Sequence, residues 1–122
     1  MWKKLRDQQP KHDLLVVPVQ FGLLHRGQSV RRARKLFHEN EFGLCPFHVG
    51  TMLLTHDNRF QHADDLWIDC PGGEYDDVDV DARFACAPCY SFVRGYKVNF
   101  STEKFSRVSD CYGSASGFLV HE

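Results

Sequence analysis

No apolar stretch in this chain approaches the ~20 consecutive residues of a membrane-spanning helix. The first ten residues are basic but lack the apolar segment and small-residue cleavage site of a secretory leader. A cytoplasmic location is therefore the expectation. Internal repeats, low-complexity tracts and Ser/Gly linkers are also missing, so the 122 residues are expected to form one domain. The chain has little excess charge of either sign, with a net of −1. Cysteine comes in an odd number, five, so a closed disulfide framework would leave one thiol over. In a reducing compartment the five are thiols, metal ligands or core residues.

What is present suits an ordinary soluble domain: 43% hydrophobic and 25% charged residues. A chain of this size can bury a core and does not require a metal or disulfides to fold. Its charge is unevenly spread. Residues 1–40 carry nine Lys or Arg against three Asp or Glu, and residues 41–83 carry two against ten. Such a chain can pair its own faces, associate with a copy of itself, or offer each face to an opposite charge.

The element pattern predicts a small single α+β domain, with one main helix packed on a mostly antiparallel sheet. Residues 1–12 read as a polar tail and 13–122 as the domain. Leu14–Phe21 is a β-type run that Pro18 confines to an edge or bulge. Gln28 or Ser29 can cap a helix running to Asn40, whose apolar face is Val30, Ala33, Leu36 and Phe37. Strands are expected over Val49–Thr55, Leu66–Cys70, Phe84–Phe92, Tyr96–Phe100 and Phe118–Val120. An Arg94-Gly95 turn joins the third and fourth of these, and Gly113–Gly117 reads as a small-residue loop.

Two short pairs of metal-type ligands carry the sharpest chemical signal: Cys45-Pro46-Phe47-His48 and Cys86-Ala87-Pro88-Cys89. Each pair holds its ligands three positions apart, and tetrahedral zinc is commonly held by two such turns. A structural zinc on Cys45, His48, Cys86 and Cys89 would clip the helix–strand junction to the later hairpin. The pattern is similar to zinc-ribbon and treble-clef modules in general layout only. Val49 and Tyr90 stand where such turns often place a small residue. The competing explanation is that these cysteines are small buried hydrophobes.

Other constellations are weaker. Asp77-Val78-Asp79-Val80-Asp81 lacks the glycine and final glutamate of a calcium loop and reads as an acidic loop or edge strand. His25, two residues before Gly27, is similar to the nicotinamide-ribose contact of ADP-ribosyltransferases. The rest of that pattern is missing, with Glu74 and Glu103 the only candidate glutamates. Arg31, Arg32, Arg34 and Lys35 on helix 28–40 form a basic surface able to meet phosphates. Taken together, these features lead to the expectation of a non-enzymatic binding or regulatory module that engages a protein partner or a second copy of itself. The alternatives are an enzyme built on an open metal site or a Cys/His pair, testable at His25, His56 and Cys70, and nucleic-acid binding through the basic helix.

Overall fold

Pro18 cuts the first β-type run short. In a computed structural model of the protein, which describes residues 15–62, 64–73, 86–93, 97–104 and 106–120, strand β1 is only Val19–Gln20. The polar tail, the acidic stretch 75–82 and the Arg94-Gly95 turn lie outside the described residues. After β1 the chain turns at Gly22, makes a single 3-10 turn over Leu23–His25, and enters helix α1, Val30–Leu36. The Ser29 hydroxyl accepts the Arg32 amide at 3.1 Å, as an N-cap should. Val30 and Ala33 face inward. The helix ends before Asn40 because the following backbone is engaged elsewhere. The Glu41 side chain accepts the His38 amide, the Asn40 carbonyl accepts the Leu119 amide, and the Asn40 side-chain Nδ2 donates to the Leu119 carbonyl. That turn feeds strand β2, Glu41–Gly43.

The expected strand over Val49–Thr55 is instead a helix, α2, spanning Pro46–Thr55. Proline at the first helical position has its φ preset and no amide to leave unbonded. Cys45 and His48 occupy the ends of a capping box, with the Cys45 amide donating to His48 Nδ1 at 3.5 Å. Val49, Met52 and Leu53 then pack toward the core at helical spacing. Local start signals override the β-branched, threonine-rich composition.

Among the described residues two sheets form. One has the order β5-β4-β3-β6, with β3 at Trp67–Asp69, β4 at Cys86–Val93, β5 at Lys97–Lys104 and β6 at Tyr112–Ser114. Its pairs are antiparallel except β3 with β6, which are parallel. The other is antiparallel, in the order β1-β7-β2, with β7 at Ser116–Phe118. The fold is thus α+β as expected, but with two α-helices and two sheets among the described residues.

The presumed loop Gly113–Gly117 is the crossing point between those sheets. One strand path leaves the first sheet after Ser114, passes through fully buried Ala115 and enters the second sheet at Ser116. The Ala115 amide bonds the Asp69 carbonyl, and its own carbonyl accepts from Leu44. Small residues are needed here because backbones meet. A Cβ on Gly22 would lie 2.6 Å from the Gly113 carbonyl oxygen, and Gly22 sits at φ 121°. The apolar core lies on the α2-facing side of the larger sheet, built from Phe42, Leu44, Val49, Phe60, Ile68, Cys70, Phe92 and Ala115.

Candidate functional site

The four residues singled out as zinc ligands fall at two places. Cys45 and His48 open α2, where both serve the helix start, and burial lowers the His48 imidazole pKa. Cys89 lies in β4 opposite Ser101, with the thiol 3.2 Å from the Ser101 hydroxyl. The ladder runs unbroken from Cys86↔Lys104 to Val93↔Lys97, so this second pair lies along an extended strand. The Cys86 side chain is outside the described set. Among the described residues, no three His, Cys, Asp or Glu side chains are grouped to hold a metal.

Cys70 and Cys89 carry little nucleophilic character. Burial and the neighbouring Asp69 push the Cys70 thiol far up. Burial, then the charges of Asp69 and Glu103, raise Cys89 to about 11 despite the Ser101 hydrogen bond. Cys45, Cys70 and Cys89 are buried free thiols, and Cys111 is an exposed one.

The other residues named for chemistry are held by separate partners. His56 caps the end of α2, close to Thr55 and Met52. Cys70 is a core residue. His25 is buried, and its Nε2 lies 2.6 Å from Glu41 Oε2. That carboxylate also accepts the Ser116 hydroxyl at 2.6 Å and the His38 amide at 3.1 Å. Gln20 extends the network by donating to Ser116 Oγ and the Ser114 carbonyl. Burial raises the Glu41 pKa, but these hydrogen bonds and the His25 charge outweigh it and hold the group below its ordinary value. No local signal marks this network, because Gln20, Glu41 and Ser116 are ordinary strand residues until β7 brings them together.

A second polar assembly lies on the face of the larger sheet turned away from the apolar core. The strand registers align Ser101, Cys89, Asp69 and Ser114 in one row across β5, β4, β3 and β6. Ser91 and Trp67 stand in the adjacent row, next to Tyr112. Asp69, Cys89, Ser91 and Ser114 are all buried. Asp69 Oδ1, Ser91 Oγ and Ser114 Oγ have no hydrogen-bond partner among the described residues. Burial, and then the Glu103 charge, raise Asp69 to about 7 against the opposing Arg107. A visible sign was present in the sequence: an acid inside the apolar run Leu66-Trp67-Ile68-Asp69-Cys70.

On the opposite face, Tyr90 joins α2 to β5. Its hydroxyl donates to the Pro46 carbonyl at 3.0 Å, and its ring centroid is 5.0 Å from that of Phe100. Phe47 and Leu54 on α2, and Val98 and Phe100 on β5, are largely exposed. The basic helix contributes less than its sequence promises. Arg34 donates to the carbonyls of Pro71 and Gly73, while Arg31, Arg32 and Lys35 face outward.

No protein-family model, curated protein or solved structure matches this chain. No helix among the described residues is long and apolar enough to cross a membrane.

Proposed function

We propose that the protein is a small non-enzymatic binding module that captures an extended segment of a protein partner along β5. The observation that carries this reading is the Tyr90 link. It places the exposed side chains of an edge strand beside α2, where Phe47 and Leu54 are 83% and 86% exposed. β5 is eight residues long, free of proline, and paired only with β4 among the described residues. Such an edge offers outward backbone N–H and C=O groups to an added strand, and flanking side chains select the sequence. Val98 and Phe100 supply the apolar contacts, and the exposed Lys97 and Lys104 mark the two ends. The fitting partner is an extended segment with apolar side chains at alternate positions and an acidic residue near each end. The raised thiol pKa values of Cys70 and Cys89 further support binding over thiolate chemistry. Free cysteines suit the cytoplasmic location that belongs to this reading.

The test uses a synthetic peptide of alternating valine and threonine with aspartate at both ends. Saturable binding that perturbs the amide signals of residues 97–104, and weakens at least tenfold in Phe100→Asp, supports the reading. Concentration-dependent dimerisation abolished by Phe100→Asp would assign the edge to a second copy, whose residues 76–81 are acidic. Absence of both effects overturns it.

A structural zinc on Cys45, His48, Cys86 and Cys89 remains part of the proposal on the strength of ligand spacing. It is supported by Cys45 and Cys89 both lying within electrostatic reach of Cys70. Elemental analysis of the purified protein tests it independently of docking. About one zinc per chain, lost in Cys86→Ser together with stability, supports the clip; a metal-free, stable protein removes it.

A further inference from the structure

Buried polar atoms are nearly always bonded, so unbonded ones need an explanation. Here all three such side-chain atoms among the described residues, Asp69 Oδ1, Ser91 Oγ and Ser114 Oγ, belong to one face of one sheet. Asp69 is only 4% exposed and stands at the centre of its row. Ser114 is its direct cross-strand neighbour, and Ser91 is the diagonal one. Side chains in those relations on a sheet face lie within reach of a shared small group.

The adjacent row adds aromatic walls. Trp67 and Tyr112 meet edge to face with centroids 4.8 Å apart, each two residues before Asp69 or Ser114 and so on the same face. The Tyr112 ring already takes one cation, with the Arg107 guanidinium 5.4 Å from its centroid. Arg107 is also engaged by Glu103, whose carboxylate accepts the Tyr112 hydroxyl at 3.2 Å.

Among the described residues the charges on this face do not balance. Asp69 and Glu103 supply two carboxylates, and Arg107 supplies one cation. The shifted titratable groups described on this face all move upward. Cys89 on β4, Tyr112 on β6 and Asp69 on β3 all rise, each with burial as the first cause and Glu103 contributing. A group that satisfies the three unbonded oxygens and offsets Asp69 is one positive charge that can donate several hydrogen bonds.

We propose that Asp69, Ser114 and Ser91, walled by Trp67 and Tyr112, form a binding site for a primary alkylammonium group. Its N–H donors satisfy the three unbonded oxygens, its charge offsets Asp69, and its alkyl chain runs along the aromatic pair. Half-buried Trp67 and Glu103, with Arg107 exposed beside them, form the rim through which the chain would leave.

The experiment is calorimetric titration of the whole chain at pH 8 with butylammonium chloride. Sodium chloride and tetramethylammonium chloride at matched ionic strength are the controls. The proposal expects saturable binding of butylammonium, at least tenfold weaker binding of the N–H-free tetramethylammonium, and loss of binding in Asp69→Asn. Equal responses to both ammonium ions, or unchanged binding in Asp69→Asn, overturn it. Should that variant fail to fold, the carbon-13 titration of the Asp69 carboxyl in the unaltered chain decides instead. Its midpoint must fall from about 7 when butylammonium is present, and an unmoved midpoint overturns the proposal. Spermidine and a lysine-containing peptide, titrated in parallel, distinguish a free amine from a protein side chain as the source of the group.

Discussion

His25 Nε2 and Glu41 Oε2 lie 2.6 Å apart with both side chains buried, which ties the 3-10 turn after β1 to the first residue of β2. The same carboxylate receives Ser116 from β7. One group therefore joins β2, β7 and the turn that follows β1.

Replacing Glu41 with alanine removes an acceptor from His25, Ser116 and the His38 amide at once. Leaving buried donors unpaired costs more than the net worth of the bonds. Glu41→Ala is expected to lower stability by ~3 kcal/mol or more, read as a shifted urea midpoint with an unchanged slope. Glu41→Gln keeps the shape and is expected to recover part of that loss.

Acid should weaken the same network. The folded-state pKa of Glu41 lies below its ordinary value near 4.5, so the folded chain holds the carboxylate more firmly than the unfolded chain does. Its stabilising contribution is complete above the ordinary value and is lost as pH falls through the lowered folded one. Comparing unfolding of the unaltered chain and Glu41→Gln between pH 6 and pH 3 isolates this term, and the difference between them should shrink toward pH 3.

Asp69 works in the opposite sense. Its folded pKa, about 7, lies above the ordinary aspartate value of 3.8. The folded state thus binds the proton more tightly, and stability declines as pH rises from about 4 to 7 before levelling off. Asp69→Asn in amine-free buffer is expected to be more stable than the unaltered chain at pH 8, with an upper bound on the order of 4 kcal/mol. At pH 4 the two should nearly coincide. A constant difference across this range would contradict the buried, unpaired state of the carboxyl.

Tyr90→Phe removes the hydroxyl that reaches Pro46 but keeps the ring beside Phe100. A part-buried neutral hydrogen bond is worth ~1 kcal/mol. Thermal unfolding should show a loss of that size. Faster amide exchange in the first turn of α2 should accompany it.

Gly22→Ala tests the close approach of the two backbones. A methyl group would sit 2.6 Å from the Gly113 carbonyl oxygen, and φ 121° is itself unfavourable for alanine. A loss of roughly 3 kcal/mol or failure to fold is expected, checked by chemical denaturation.

The sequence by itself determined the elements whose signals are local. Ser29 as a cap, the inward face of Val30 and Ala33, strand Trp67–Asp69 and the β4–β5 hairpin strands all follow from capping chemistry and short-range apolar patterning. The start of α2 was equally local, since Cys45, Pro46 and His48 form a helix N-terminus. Cys45 and His48 are metal-ligand types as well as helix-start residues, and the threonine-rich composition of Val49–Thr55 is that of a strand. Tertiary structure alone decided the rest. Gly113–Gly117 is a strand path between two sheets because Gly22, Phe42 and the Leu44 amide press against it from distant parts of the chain. Glu41 meets His25 and Ser116, and Asp69 joins the row of Cys89, Ser101 and Ser114, only through strand register. Register depends on long-range pairing and on which faces become buried, and no window of neighbouring residues contains that information.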